Sequence, residues 1–168
     1  KAVTKVTHGK EATVDTIAKM LFNARHRATW DSTIRLITDL KQPTKNSSIC
    51  MKHCKMPHIQ GDVEFMDQVA IKKNTDSRRF IFGSSVNYFP GNDSSWVMHR
   101  GKTLFSAIVI ERVEEVDGFF SIQITQYLQV ALTKRDAEAG GVSTIDSLIQ
   151  HLGTIYKDLY QSLEHDSD

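Results

Sequence analysis

The chain has 168 residues, 40% of them hydrophobic and 24% charged, with a net charge of +1. That length and composition predict one domain with a sizeable core, and the near balance of charge excludes a global pull on nucleic acid or on acidic substrates. No apolar run approaches the roughly 18 residues of a membrane span, and no signal-peptide pattern opens the sequence. The chain begins at Lys1, as an excised domain would, and its two cysteines make no disulfide framework, so free thiols in a reducing, cytoplasmic setting are expected.

In chain order, the opening KAVTKVTHGKEATV is rich in Thr and Val and reads as short strands. TVDTIAKMLFNARHR follows, with Ile17, Met20, Leu21 and Ala24 at helical spacing and Thr13 or Asp15 as N-cap. This spacing predicts a helix ending before ATWDSTIR. From Ile34 to about Leu132 the pattern is β: IRLITDL, SSICMKHCKM, VEFMDQVAIKK, RRFIFGSSVNYF, SWVMHRG, LFSAIVIERVEEV and FFSIQITQYLQVAL. Turn residues separate them in KQPTKN, HIQGD, KNTDS, FPGNDSS, RGK and VDG. Short connections without intervening helices predict an antiparallel meander.

The period changes again after EAGGVST. Val142, Ile145, Leu148, Ile149, Leu152, Ile155, Tyr156, Leu159 and Leu163 form one broad apolar stripe, and Ser143 with Asp146 makes a capping-box-like start. The expectation is an α+β protein: a curved antiparallel sheet gripping one long C-terminal helix of about six turns.

This order, with its motifs, resembles the START (StAR-related lipid transfer) family. ARHRATWD is similar to the family's Arg…Trp-Asp signature. MDQVAIK is similar to its Arg-Asp-Phe strand motif, with Asp67 on the Asp, Met66 in place of the Arg and Gln68 in place of the aromatic residue. FIFGSSVNYFP, WVMHRG and ITQYLQVALTK match three later strands in order. The family's N-terminal helix has no counterpart, and RDAEAGGVST lacks the usual wording before the last helix. The resemblance implies a helix-grip fold over residues 1–168 as a single lipid-binding domain with an internal cavity. It implies one phospholipid or sterol as ligand, transfer between membranes through transient contact with their surface, no catalysis, no cofactor, no metal, and a monomer.

The resemblance also implies site residues. Sterol-binding members carry a basic residue in the strand after the Arg-Asp-Phe motif, where this chain has Lys72; a solvated strand-end lysine beside Lys73 is the plainer reading. The acidic partner would stand near His53, but no carboxylate lies between Asp39 and Asp62, so the charged pair of the sterol binders is expected to be missing. Arg100 is a candidate for a phosphate, since a guanidinium matches its oxygens bidentately, with a surface-exposed arginine as the alternative. Gln126 shares strand parity with Ile122, Ile124, Leu128 and Val130 and is expected to face inward with them. Leu128, Leu148, Leu152 and Ile155 are expected in the apolar lining. Tyr88, Phe89 and Trp96, in the loop 87–96, are the expected door and membrane contact, with aromatics packed under the sheet as the alternative.

CMKHCKMPH, residues 50–58, holds both cysteines and two histidines. As a strand it separates the two sulfurs by about 13 Å and turns His53 to the opposite face, too open for one ion or a disulfide. Buried, inert thiols are the expectation. Two other function classes stand beside lipid binding: a helix-grip cyclase or hydrolase, for which His53 converging with Asp67 would be a sign, and a regulatory module with a vestigial cavity.

Overall fold

In a computed structural model of the chain, residues 2–7, 13–56, 59, 61–87, 99–114 and 120–131 are described. Eight strands and two helices follow in the order β1 (Ala2–Thr7), α1 (Val14–Phe22), α2 (Ala24–Trp30), β2 (Ile34–Thr44), β3 (Ser47–Lys55), β4 (Asp62–Thr75), β5 (Arg78–Ser85), β6 (His99–Arg100), β7 (Lys102–Glu114) and β8 (Phe120–Ala131). The expected long helix over residues 142–163 and the expected door loop lie outside the described residues.

The predicted single helix is two. Asn23 is extended (φ −74°, ψ 116°) and ends α1. Its side-chain Oδ1 accepts from the backbone N–H of Arg25 at 2.9 Å and of His26 at 3.4 Å, so the same residue caps α2. The second helix then runs through Trp30, past the expected stop before Ala28. At the first terminus Thr13, not Asp15, is the N-cap, its Oγ1 accepting from Thr16 N at 3.1 Å.

The sheet runs β1-β8-β7-β5-β4-β3-β2, every neighbour antiparallel. The short β6 departs from the expected meander by pairing parallel with β4, Glu64 opposite Arg100. β2 extends through Pro43, which the expectation placed in a turn; β2 ends the strand order, and an edge tolerates a residue without N–H.

One face of the sheet carries the core. Val14, Ile17, Ala18, Met20 and Leu21 of α1, with Trp30 of α2, pack on Ile81, Ile108, Ile110, Ile122 and Ile124. These strand residues meet across register, Ile81 opposite Ile108 and Ile110 opposite Ile124, so they share a face. Arg79, buried on β5, fastens α1 to the sheet: its Nε and Nη2 donate to Asp15 Oδ1 and Oδ2 at 2.6 and 2.8 Å, and its Nη1 donates to the carbonyls of Thr75 and Arg78. The hydrogen bond from Arg79 holds the Asp15 carboxyl below its ordinary value of 3.8, against the upward push of burial. A lowered carboxyl pKa gives stability that is present above the unfolded value and lost as pH falls through the folded one. Asp15→Asn is therefore expected to flatten the acid limb of the stability–pH curve below about pH 4, read as urea midpoints across that range. An acid limb unchanged in the variant would remove this pair from the account.

A second, smaller cluster, Met56, Val63 and Phe65, lies on β4 and the end of β3. Along β8 the same parity runs from the large cluster (Ile122, Ile124) through Gln126 and Leu128 to Val130, which packs on the small one. Among the described residues the stretch between is not filled, and that is where the hollow forms.

Candidate functional site: a polar-walled hollow on the inner face

The hollow measures about 100 Å³ and is lined by Arg27, Thr33, Lys52, Cys54, Lys55, Met56, Phe65, Asp67, Thr103, Ser106, Gln126, Leu128 and Val130. Register explains the set. Lys52 stands opposite Phe65, Cys54 opposite Val63, Ser106 opposite Leu128 and Thr103 opposite Val130. Side chains on one face alternate along each strand, so these positions look into one space.

A buried ion pair forms its wall. Lys52 Nζ lies 2.6 Å from Asp67 Oδ2, and the ammonium also approaches the Phe65 ring at 6.0 Å. Asp67 is filled from other sides too: Ser85 Oγ donates to Oδ1 at 2.9 Å and Thr103 Oγ1 donates to Oδ2 at 3.1 Å. Ser85 Oγ in turn accepts from Thr103 N at 2.8 Å. Burial, the largest single influence, pulls the Lys52 ammonium down, but the Asp67 carboxylate, with smaller contributions from Cys54 and Cys50, outweighs it, and the net shift is above 10.5. The lysine is therefore charged at neutral pH.

A second pair backs the first. Arg27 Nε donates to Asp31 Oδ2 at 3.0 Å, a helical i, i+4 contact across the end of α2. Asp31 also accepts from Thr33, through both its N–H and its hydroxyl.

Thr103 reaches this site through a bulge. The β7–β8 register slips between Thr103 and Phe105, so Leu104 is an extra residue in β7. Ser106 is three positions after Thr103, a spacing that in a regular strand puts them on opposite faces; the bulge puts both in the hollow. Gly101, just before β7, makes its own contribution, since a Cβ there would lie 2.3 Å from the Phe65 ring. The absence of a side chain lets this segment pass close over the ring.

Gln126 and Leu128 line the hollow as the strand parity predicts, with Gln126 almost wholly buried. His53, Lys72 and Arg100 are not part of it. His53 Nε2 meets Glu64 Oε2 at 3.2 Å and Arg100 Nε meets Glu64 Oε1 at 3.3 Å, a cluster on the opposite face of the sheet. His53 therefore does not converge with Asp67. Lys72 is exposed, opposite Phe80. Tyr88, Phe89, Trp96, Leu148, Leu152 and Ile155 lie outside the described residues.

Sequence reasoning passed over Lys52, Arg27, Thr103 and Ser85. For Lys52 a signal existed, because it stands between Cys50 and Cys54 on the parity expected to be buried. A different charged pair, Lys52 with Asp67, is present, with the base on β3 and the acid on β4.

Residues 50–55 of the Cys-His segment belong to strand β3, and both cysteines are free thiols. Among the described residues no three His, Cys, Asp or Glu side chains gather as a metal site. Burial pushes the Cys54 thiol up to about 11, and burial raises Cys50 as well. Against an ordinary value of 9.0, that leaves Cys54 with roughly a hundredfold less thiolate at neutral pH. Iodoacetamide at pH 7.5 is expected to label Cys54 correspondingly slowly beside a free cysteine peptide, by timed mass spectrometry. Labelling at the peptide's rate would show that the thiol is not buried in solution.

No family model and no curated protein matches this chain. Solved structures do. The human StarD13 (DLC2) lipid transfer and protein localization domain matches with a TM-score of 0.69 and 13% identity over 93% of this chain and 74% of that one. Human STARD10 matches with a TM-score of 0.70 and 14% identity, over 99% and 73%. Human StAR-related lipid transfer protein 5 matches with a TM-score of 0.65 and 11% identity, over 100% and 85%. At these identities the likeness shows the fold: this chain has the helix-grip fold of the START domains.

Proposed function

We propose that the protein binds one lipid in the hollow and carries it between membranes without catalysing a reaction. The single observation that carries this is the gap in the inner-face core. Two apolar clusters on one sheet face are separated by a space lined with Met56, Phe65, Leu128 and Val130 and walled by the Lys52–Asp67 pair. An apolar chain filling such a space supplies the contacts a void lacks, at roughly 0.8 kcal/mol per buried CH₂. The wall offers polar groups to hold one end, which is the pattern of a specific small-molecule site. Two of the matched structures are described as lipid transfer proteins, which supports the same reading.

The hollow is smaller than the roughly 300–1,000 Å³ of typical ligand pockets. A long-chain ligand would therefore extend beyond the described lining or widen it on entry. Release into a membrane would pass through the loop 87–96, with Tyr88, Phe89 and Trp96 touching the surface. An enzymatic reading lacks support in the lining: among the described residues it holds one carboxylate, Asp67, and no histidine. No helix of the described residues is long and apolar enough to cross a membrane.

The test is extraction of the purified protein followed by lipid mass spectrometry, and a transfer assay between donor and acceptor vesicles. The first classes to offer are phospholipid and sterol. A stoichiometric lipid, carried or taken up, is the expected result. A protein that retains no lipid of any class would end this proposal.

A further inference from the structure

Both ion pairs at the hollow are oriented the same way. The Asp67 side chain is 3% exposed and its partner Lys52 is 18% exposed; Asp31 is 1% exposed and its partner Arg27 is 22% exposed. Each pair buries its anion and turns its cation outward. Whatever enters meets the Lys52 ammonium and the Arg27 guanidinium, with Asp67 also in the lining and Asp31 outside it.

The hydrogen-bond inventory points the same way. A carboxylate has about four acceptor sites and an ammonium three donors. Asp67 already accepts from Ser85, Thr103 and Lys52. Lys52 directs its charge to Asp67 and, among the described residues, to no second carboxylate. Lys55 adds a third cation to the lining, and the neutral thiol of Cys54 adds no negative charge. The positive charge of Arg27 also acts against that of Lys52, so an anion placed between them relieves a like-charge repulsion.

Resting on the lipid-binding reading above, we infer that the lipid's polar end is an ionised acid group, a carboxylate on a single long chain, held by Lys52 and Arg27. A hydroxyl head can accept from two donors but neutralises no charge. A phosphocholine head brings a cation, and both local carboxylates are already paired, Asp67 with Lys52 and Asp31 with Arg27. A carboxylate is planar, small and matched to two adjacent donors.

The experiment offers four probes, one at a time, from neutral vesicles: oleate, oleyl alcohol, cholesterol and phosphatidylcholine. Retention by the full chain is read by native mass spectrometry and competition. Oleate is expected to bind at least about tenfold more tightly than oleyl alcohol, the scale of a charge-assisted hydrogen bond. The double variant Lys52→Met/Asp67→Asn removes both charges and leaves no lone buried ion; with Arg27 still present, it is expected to lower the preference for oleate at least about threefold while still binding both probes. Lys52→Arg is expected to keep the preference. Oleyl alcohol or cholesterol bound as tightly as oleate, or a preference undiminished in the double variant, would overturn this inference and leave lipid binding standing. Failure to retain any of the four probes would overturn both.

Discussion

Asp67→Leu is expected to cost about 3–5 kcal/mol of folding stability, because it strands the Lys52 ammonium in a buried wall. Ser85 and Thr103 lose their acceptor in the same step. The penalty comes from the charge left behind, so removing that charge should restore much of it. Lys52→Met/Asp67→Leu is expected to be markedly more stable than Asp67→Leu alone, since apolar replacements of a buried pair are often neutral. Urea unfolding at neutral pH, with slopes compared as well as midpoints, decides the matter. Single and double variants of equal stability would mean that the ammonium finds water when Asp67 is gone, and that this wall is wetter than the burial of Asp67 implies.

Ile110→Ala carries the second large effect. Ile110 is fully buried where α1 meets the sheet, opposite Ile124 on one side and Arg79 on the other. Truncation removes apolar contact and leaves a cavity that rigid strands cannot close, at about 2–5 kcal/mol. In a domain of ordinary stability, about 5–15 kcal/mol, that is a large share. Phe82→Ala is the contrast. Phe82 loses more atoms but lies on the opposite face, partly exposed and stacked on Phe80 with ring centroids 5.7 Å apart. Its cost is expected near the scale of one aromatic pair, about 1 kcal/mol. If thermal melting ranked Phe82→Ala as the worse of the two, the core would have been assigned to the wrong face.

These expectations depend on knowing which face each residue takes, and much of that was legible in the sequence. Parity along β8 placed Gln126 inward with Ile122 and Ile124, and the structure does the same. The strand reading of CMKHCKMPH separated His53 from its two cysteines, and that separation is real. The same reading put Lys52 on the buried side, yet a lysine in a strand reads as solvated unless its acid is known. That acid, Asp67, is fifteen positions away, on a neighbouring strand, and only the β3–β4 register joins them. Placing His53 in the cavity failed for the converse reason: a sheet has two faces, and the hollow lies on that of the thiols. Thr103 could not be found by alternation at all, because a bulge breaks the period on which alternation rests. The break at Asn23 is of similar kind, since apolar spacing continues through it while the backbone does not.

The bulge at Leu104 has a further consequence for how such a sheet can vary. Leu104 and Phe105 are both exposed, at 45% and 47%, while Thr103 and Ser106 stay inside. Deleting Leu104 would restore a regular strand and leave both hydroxyls where they are, trimming one apolar side chain from the outer surface alone. Insertions and deletions at this position thus edit the exterior without rewriting the interior. The chain can change what it touches while keeping what it holds, and a single codon gained or lost is enough to do it.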